Sequence, residues 1–569
     1  MKTNKRLLFF TIILALIAIG LFLGDSQSGN YTSILLTIIL ATFASIYLYS
    51  YKDKFRFNII VWIMMIIVAF LTQFAFLNNL HITASTLFLF MIYILSRFLF
   101  AFLLTLTAAV FIRDLNDFNY ILVKPTKYTW LIILLVLGIS LFYWVAFFPA
   151  AMTPDSLSQW RQAHTGEFDD GHPIIFTWLI MFLVKIWNSP GIIALFQILV
   201  VTSVYGYAFD FLLKRKVHPL FLGILTAIIL VIPSFTIFSI IIWKDIIYSS
   251  FLLFFTVNLA KLHFSKGNWI KSRSGFLLLL LSAFGTAFFR HNGLPVFILT
   301  FVLLIILFRN KWKPLLSIFL IVFILERIIA GPVFHALNVK PSDPNEALSI
   351  PTQQIANIIV NDGDMTKDER AYFDKVFPIE LWKEKYNPYN TNPIKFTWES
   401  YNREFIFKDT GLYFKNYISI VLKNPLLATE AFLKQSSLVW QVTTFKDGYT
   451  DTYVTNVYYG NDLGLKNEII SQKITNTSNK YLAIFKQPVF SFLWKPAFYH
   501  CIILLSGLFL AIRKGKKSLV IIVPWLLNTL SILAGLPAQD FRYLLASVFI
   551  SIFLIAVPFI KPDEEEHSL

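Results

Sequence analysis

The sequence predicts an all-α polytopic membrane protein of about 14 transmembrane helices with an inserted, mainly helical extracytoplasmic domain. Three observations carry this expectation. Of the 569 residues, 57% are hydrophobic and only 14% charged, where soluble domains are typically about a quarter charged. Apolar runs of about 20 residues, the length that crosses the hydrocarbon layer as a helix, recur from one end to the other. Between residues 335 and 486 these runs stop, and Asn, Asp, Lys, Tyr, Thr and Pro rise.

Taken in order, residues 1–127 hold four runs, at 7–24, 31–50, 58–77 and 84–111. The N-terminal basic residues followed by Leu7 to Leu23 lack a convincing small-residue cleavage site, so this run is read as a retained span. Residues 128–334 form a core opened by the run 128–148. The basic groups Lys2, Lys5 and Arg6, then Lys52, Lys54 and Arg56, then Arg113, Lys124 and Lys127 mark alternate loops as cytoplasmic. That places the loop 149–172 outside. Runs at 173–188 and 190–212 meet at Asn188-Ser189-Pro190. If both crossed, Lys214-Arg215-Lys216 would lie outside against the charge rule, so one of them is taken to cross.

The alternation then resumes through 219–242, 246–262, 275–289, 294–308 and 314–334. Residues 335–486 form the extracytoplasmic domain, with amphipathic helices over Tyr413 to Leu422 and Leu426 to Trp440. Its aromatics Trp382, Trp398, Tyr401, Tyr413 and Trp440 fit core or membrane-interface positions, with sugar stacking as the sharper alternative. Residues 487–560 hold three closing spans, and 561–569 a charged cytoplasmic tail.

The formal net charge of +16 follows the loops between spans and is topological; no basic recognition helix points to nucleic acid. A single cysteine, Cys501, excludes a disulfide framework and a cysteine metal site within one chain. No Walker loop, glycine-rich nucleotide fingerprint or nucleophile elbow is present.

Polar residues gather where spans meet the outer face: Asp155, Asp169, Asp170 and His172, then Lys244 and Asp245, then Arg290 and His291, then Asp540 and Arg542. Carboxylates and cations at one membrane level are what transfer from a phosphate leaving group needs. A carboxylate deprotonates an acceptor hydroxyl, and cationic side chains stabilise charge on the departing phosphate, Arg by its planar fork. Each group also has a plain structural alternative. Asp155 fits a helix N-cap after Pro154, Lys244 a snorkelling partner of Asp245, and Asp540 with Arg542 a local salt bridge. Asp155, Asp169, Asp170, His172 and Asp245 offer ligands for a divalent cation such as Mg or Mn, without a diagnostic spacing.

The order of these motifs resembles the GT-C superfamily of polytopic membrane glycosyltransferases, which includes protein O-mannosyltransferases and aminoarabinose transferases. The matching signals are Thr153-Pro154-Asp155-Ser156 in the first long outer loop, His172-Pro173 opening the next span, Asp245 at a later outer span end, and Asp540-Phe541-Arg542-Tyr543 near the last spans. The chain also resembles bacterial membrane proteins of unknown function that carry the same T-P-D-S and R-H-N-G signals. The GT-C resemblance covers mainly 128–334 and 537–545. Its usual adjacent acidic pair is absent at Asp155, so Asp169 or Asp170 would have to supply the second carboxylate.

The resemblance implies a bacterial plasma-membrane enzyme that moves a sugar from a polyprenyl phosphate to an extracytoplasmic glycan or cell-wall polymer. Asp155 would be the catalytic base, with Asp245 beside it. Arg290, Arg542 and Lys244 would hold the lipid phosphate, and Asp169, Asp170, His172 and His291 would orient the substrates. Membrane lipid is the remaining expected partner. A transporter or flippase of a lipid-linked or small solute is the alternative, although its ionisable groups would be expected near the bilayer midplane. A non-catalytic assembly or sensing protein is a third.

Overall fold

The computed structural model describes residues 5–25, 31–51, 56–77, 87–115 and 125–561. Lys2, Lys52, Lys54, Lys124 and residues 562–569 of the tail, all used in the topology argument, lie outside the described residues. Among the described residues the chain is all-α, with 25 α-helices and no extended sheet; its extended segments meet only as isolated β-bridges.

The first four helices are α1 (Lys5–Asp25), α2 (Tyr31–Ser50), α3 (Ile59–Phe74) and α4 (Leu87–Asp114). The core follows with α5 (Pro125–Ala146), α6 (Pro154–Thr165), α7 (Ile174–Val184), α8 (Pro190–Lys214), α9 (Pro219–Val231), α10 (Lys244–Phe264), α11 (Arg273–Phe288), α12 (Gly293–Leu307) and α13 (Trp312–Ile328). A π turn, Ile329–Val333, leads from α13 into the single turn α14 (Phe334–Ala336). The inserted region carries α15 (Ser349–Val360), α16 (Lys367–Val376), α17 (Ile379–Lys385), α18 (Asn392–Lys395), α19 (Arg403–Lys408), α20 (Thr410–Lys423), α21 (Pro425–Trp440) and α22 (Gln472–Phe485). The chain closes with α23 (Pro496–Lys514), α24 (Val523–Leu533) and α25 (Leu545–Leu554).

Among the described residues eight helical stretches are long and apolar enough to cross a membrane, and seven shorter apolar helices accompany them; the chain is a multi-pass membrane protein. The ambiguous segment after His172 resolves by length. At 1.5 Å per residue the 11 residues of α7 reach about 16 Å, half of a hydrocarbon layer about 30 Å thick. The 25 residues of α8 reach across it. Ser189 starts α8 by accepting from the Gly191 amide at 3.2 Å, with Pro190 at the first helical position. Lys214 therefore sits at the opposite end of the bundle from Asp155, and the charge alternation holds through this segment.

Helices α10 and α25 form the centre. Every residue of α25 is buried, as is expected of a helix that is apolar all round. Exposed apolar side chains on other helices, such as Leu134, Ile321 and Ile324, offer the surface that acyl chains would cover.

The inserted region has its own core around Ile355, Phe373, Trp382 and Tyr413, all at 0% exposure. Of its aromatics, Trp382, Tyr401 and Tyr413 are core, Trp440 packs edge-on against Phe74, and Trp398 is exposed beneath the Arg403 guanidinium. Residues 441–486 leave this core and run back over the spans. Asn467 Nδ2 donates to the carbonyls of Phe147 (3.2 Å) and Ala150 (3.1 Å), while its Oδ1 accepts from the Val457 amide at 2.7 Å. Thr475 donates to the Ala146 carbonyl at 2.9 Å, fixing α22 across the end of α5.

The first four helices, for which the sequence suggests no role, grip both ends of the rest. The Ala75 carbonyl accepts from the Val442 amide at 2.6 Å, and the Leu77 carbonyl accepts from Gln441 Nε2 at 2.6 Å. At the other end Arg513 of α23 donates to the carbonyls of Ile112 (3.0 Å) and Leu115 (2.8 Å).

The turn between α11 and α12 has no room for a side chain. A Cβ on Gly293 would stand 1.9 Å from the Thr286 carbonyl oxygen, whereas one on Gly223 would meet nothing within 4 Å. Gly293→Ala is expected to cost about 1–3 kcal/mol by overpacking, read as a lower thermal midpoint in detergent. Gly223→Ala, inside α9, should leave the midpoint unchanged or raise it.

Candidate functional site: a buried charge cluster

The loop that carries Asp155 is fixed on both sides before α6 begins. The Ala151 amide donates to the Ile240 carbonyl at 2.9 Å, and the Ile242 amide donates back to Ala151 at 3.0 Å. On the other side Met152 exchanges hydrogen bonds with residues 456 and 458, at 3.2 and 2.9 Å. Thr153, not Asp155, is the N-cap of α6. Its amide donates to the Ser156 hydroxyl at 3.1 Å, and Ser156 donates to the Ile242 carbonyl at 2.7 Å. Gly166, at φ +75°, closes the helix in the left-handed conformation that glycine adopts without steric cost. With the cap supplied by Thr153, the Asp155 carboxylate is free to face away from α6.

It faces Arg542. Asp155 Oδ2 lies 2.8 Å from Arg542 Nη1, and Arg542 Nε lies 2.7 Å from Asp540 Oδ2. The guanidinium rests over the Trp243 ring at 4.7 Å, within cation–π range. The Trp243 indole N–H donates to Thr153 Oγ1 at 2.9 Å. Asp540 reaches this position because the Asp451 amide donates to the Gln539 carbonyl at 2.7 Å and the Phe541 amide to Asp451 at 2.8 Å.

The other oxygen of Asp155, Oδ1, lies 3.7 Å from His172 Nε2, and Lys244 Nζ bonds to His172 Nδ1. Beside Lys244, Asp245 is 1% exposed and pairs with Arg290 Nη1 at 3.1 Å. Arg290 also donates to the Tyr543 carbonyl at 2.8 Å. Asn292, next in the R-H-N-G turn, donates to Asn528 (3.0 Å) and Ser531 (2.8 Å), and Tyr248 donates to the same Asn528 oxygen at 2.8 Å. Asp155, His172, Lys244, Asp245, Arg290, Asp540 and Arg542 thus form one cluster from four stretches of chain.

Burial alone would raise the Asp155 carboxyl, but the facing His172 ring and the charges of Arg542 and Lys244 outweigh it and hold Asp155 well below the usual carboxylate range. Burial and the Lys244 charge lower the His172 imidazole, which stays neutral where a free histidine would titrate.

Three candidates, Asp169, Asp170 and His291, stand apart from the cluster. Asp169 turns to α6, accepting from Gln162 Nε2 at 2.7 Å and from the Gly171 amide at 3.0 Å. Asp170 pairs with His291 Nε2 at 3.2 Å on an exposed edge. The second carboxylate beside the Asp155 guanidinium partner is Asp540, which the sequence suggests only as a local salt bridge. Trp243 carries no sequence signal beyond its position at a span end, and Asn528 none beyond being a polar residue inside an apolar run. Among the described residues no group of three His, Cys, Asp or Glu side chains is arranged to hold a metal ion; the acids of the cluster are turned to cations instead.

Removing the Arg542 charge leaves Asp540 buried and unpaired. Arg542→Gln is expected to destabilise the protein by about 3–5 kcal/mol, and Asp540→Asn in that background to recover part of the loss, measured by a double-mutant cycle of thermal unfolding. The His172 shift sets a pH dependence. The unfolded imidazole takes up a proton near pH 6.5 and the folded one only at lower pH. Stability is therefore full well above pH 6.5 and falls as the pH drops through 6.5 toward the lower folded value, a slope that the range from 7.5 to 5.5 samples. His172→Gln should flatten that slope in midpoints recorded across the range.

No curated protein and no solved structure matches the chain. One family model does match, over residues 162–568. It covers every member of the cluster except Asp155, which lies just before its start. With most of its length matched, the chain belongs to DUF6020, a family of unknown function.

Proposed function

We propose that this protein is a membrane glycosyltransferase of GT-C type that moves a sugar from a polyprenyl-phosphate donor to an acceptor hydroxyl on the side of the inserted domain. The single observation that carries the reading is Asp155 paired with Arg542 in one cluster with Lys244 and Arg290, at one end of the spans. The eight long spans and the shorter helices α1, α2, α3, α9, α11 and α12 would together supply the expected crossings, with α7 lying in the plane of the membrane.

In this mechanism the acceptor O–H gives its proton to the Asp155 carboxylate as its oxygen attacks the anomeric carbon. The bond from that carbon to the phosphate oxygen breaks, and the electron pair leaves with the phosphate. Arg542, with Lys244 and Arg290, stabilises the charge that develops there. Asp245 keeps Arg290 in place, and His172 keeps Lys244 turned toward Asp155. Arg542 holds Asp155, which makes the carboxylate a weak base. A donor phosphate competes for the same guanidinium fork and restores basicity to Asp155 as it binds. The inserted domain would receive the acceptor, a glycan or cell-wall polymer, on a bacterial plasma membrane.

The test is transfer in proteoliposomes with a panel of radiolabelled polyprenyl-phosphate sugars and cell-wall acceptors. Wild type should transfer from one donor. Asp155→Asn should lose about 100-fold or more of the rate, as for removal of a general base, while eluting as a folded species. Equal rates would remove Asp155 from the mechanism. Movement of the carrier between leaflets without any transfer would replace the enzyme reading by a flippase.

A further inference from the structure

An open groove of about 670 Å³ lies where α13 gives way to the π turn and α14. Its floor is Ala330, Gly331 and Phe334, and its rim includes His335, Lys340 and Asp170. The π turn itself is an unusual feature. It contains Pro332, whose missing N–H and fixed φ disturb regular α-helix bonding, and π turns frequently mark functional positions. A Cβ on Gly331 would meet nothing within 4 Å, so the groove is open at its base.

The groove stands at the edge of the apolar surface. Below it along the span, Ile324 and Ile328 are exposed, and Leu337 is exposed beside it. Above it the rim carries the Lys340 ammonium, half-buried, and the His335 imidazole, exposed, both without an ion pair to any described acid. Asp170, the one acid among the lining residues, is turned to His291 at 3.2 Å. An apolar floor continuous with a membrane span, topped by unpaired positive charge, complements an amphiphile with a phosphate head.

We propose that this groove binds an anionic glycerophospholipid, with Lys340 and His335 on the phosphodiester and Gly331 and Phe334 against the first carbons of the acyl chains. The site is separate from the charge cluster but joined to it by backbone. The Lys340 amide donates to the Phe168 carbonyl at 3.0 Å, and the Asp170 amide donates to Lys340 at 2.8 Å. A lipid held on Lys340 therefore steadies the loop that runs from α6 to His172.

The experiment is native mass spectrometry and thermal unfolding of the delipidated full chain, resupplied with phosphatidylglycerol, phosphatidylcholine, a polyprenyl phosphate or inorganic phosphate. Wild type should retain phosphatidylglycerol over phosphatidylcholine and gain stability from it. Lys340→Gln should weaken retention about fivefold, the effect of one cation near a membrane surface, and Lys340→Gln with His335→Gln more. Gly331→Leu, which fills the groove from a position with free space, should abolish the preference while leaving the protein folded. Equal retention of the two phospholipids, or a preference untouched by Gly331→Leu, would reduce the contact to ordinary annular lipid and overturn the proposal. Displacement of phosphatidylglycerol by equimolar polyprenyl phosphate would reassign the groove to the carrier. Stabilisation by inorganic phosphate equal to that by phosphatidylglycerol would remove the lipid from it.

Discussion

A buried guanidinium sets the terms for this structure. Arg542 keeps its charge in any protein environment, and a charge with side-chain exposure of only 13% has to be met by opposite charge and hydrogen-bonding geometry or the fold loses several kcal/mol. Two carboxylates meet it, from segments almost four hundred residues apart, and an indole ring covers its face. Holding these partners in place requires the short backbone pairings of residues 151 with 241, 152 with 457 and 451 with 540. The entry of α25, the loop before α6 and the segment 441–486 are thus tied to one side chain.

The same constraint explains the division of labour in the inserted region. Its first part, through α21, has a core of its own and is held to the spans at its edges. Its second part has little core and consists of loop and one amphipathic helix laid across span ends. There, polar side chains such as Asn467 satisfy the carbonyls exposed where α5 stops, a requirement for any backbone that leaves a helix in buried surroundings. The first four helices clamp this arrangement from outside, through carbonyls at the end of α3 and after α4.

Much of this was legible in the sequence, and the failures have physical causes. Apolar run length identifies the spans because the hydrocarbon thickness fixes a minimum helix length. It does not distinguish α7 from a crossing, since a short helix packed against protein is just as apolar; the boundary signal is Ser189-Pro190, which starts a new helix. Asp155, Lys244, Asp245, Arg290 and Arg542 were all visible as charges at span ends, where charge is costly without a partner. The local pair Asp540 with Arg542 was visible and is present. Which charges meet across the chain was not, because pairing depends on how the ends of α10, α11 and α25 are packed. Asp169 illustrates this: it looks free to join Asp155 but is consumed by Gln162 within its own loop. The cap of α6 was misplaced by two residues because Pro154 is compatible with either start, and only Thr153 has Ser156 and Trp243 within reach.

The cluster is balanced, with Asp155, Asp245 and Asp540 against Lys244, Arg290 and Arg542. A phosphate entering it adds negative charge to a place that has none to spare. Arg542 has one fork and already serves two carboxylates, of which Asp540 is fixed by the helix turn it caps and Asp155 is the more exposed. The carboxylate that yields is therefore Asp155. Once it loses the guanidinium it sits among added negative charge, and a proton becomes the simplest way to restore balance. Under the transferase reading the acceptor hydroxyl is the source of that proton. Binding of the anionic donor and activation of the nucleophile are then two consequences of the same shortage of positive charge.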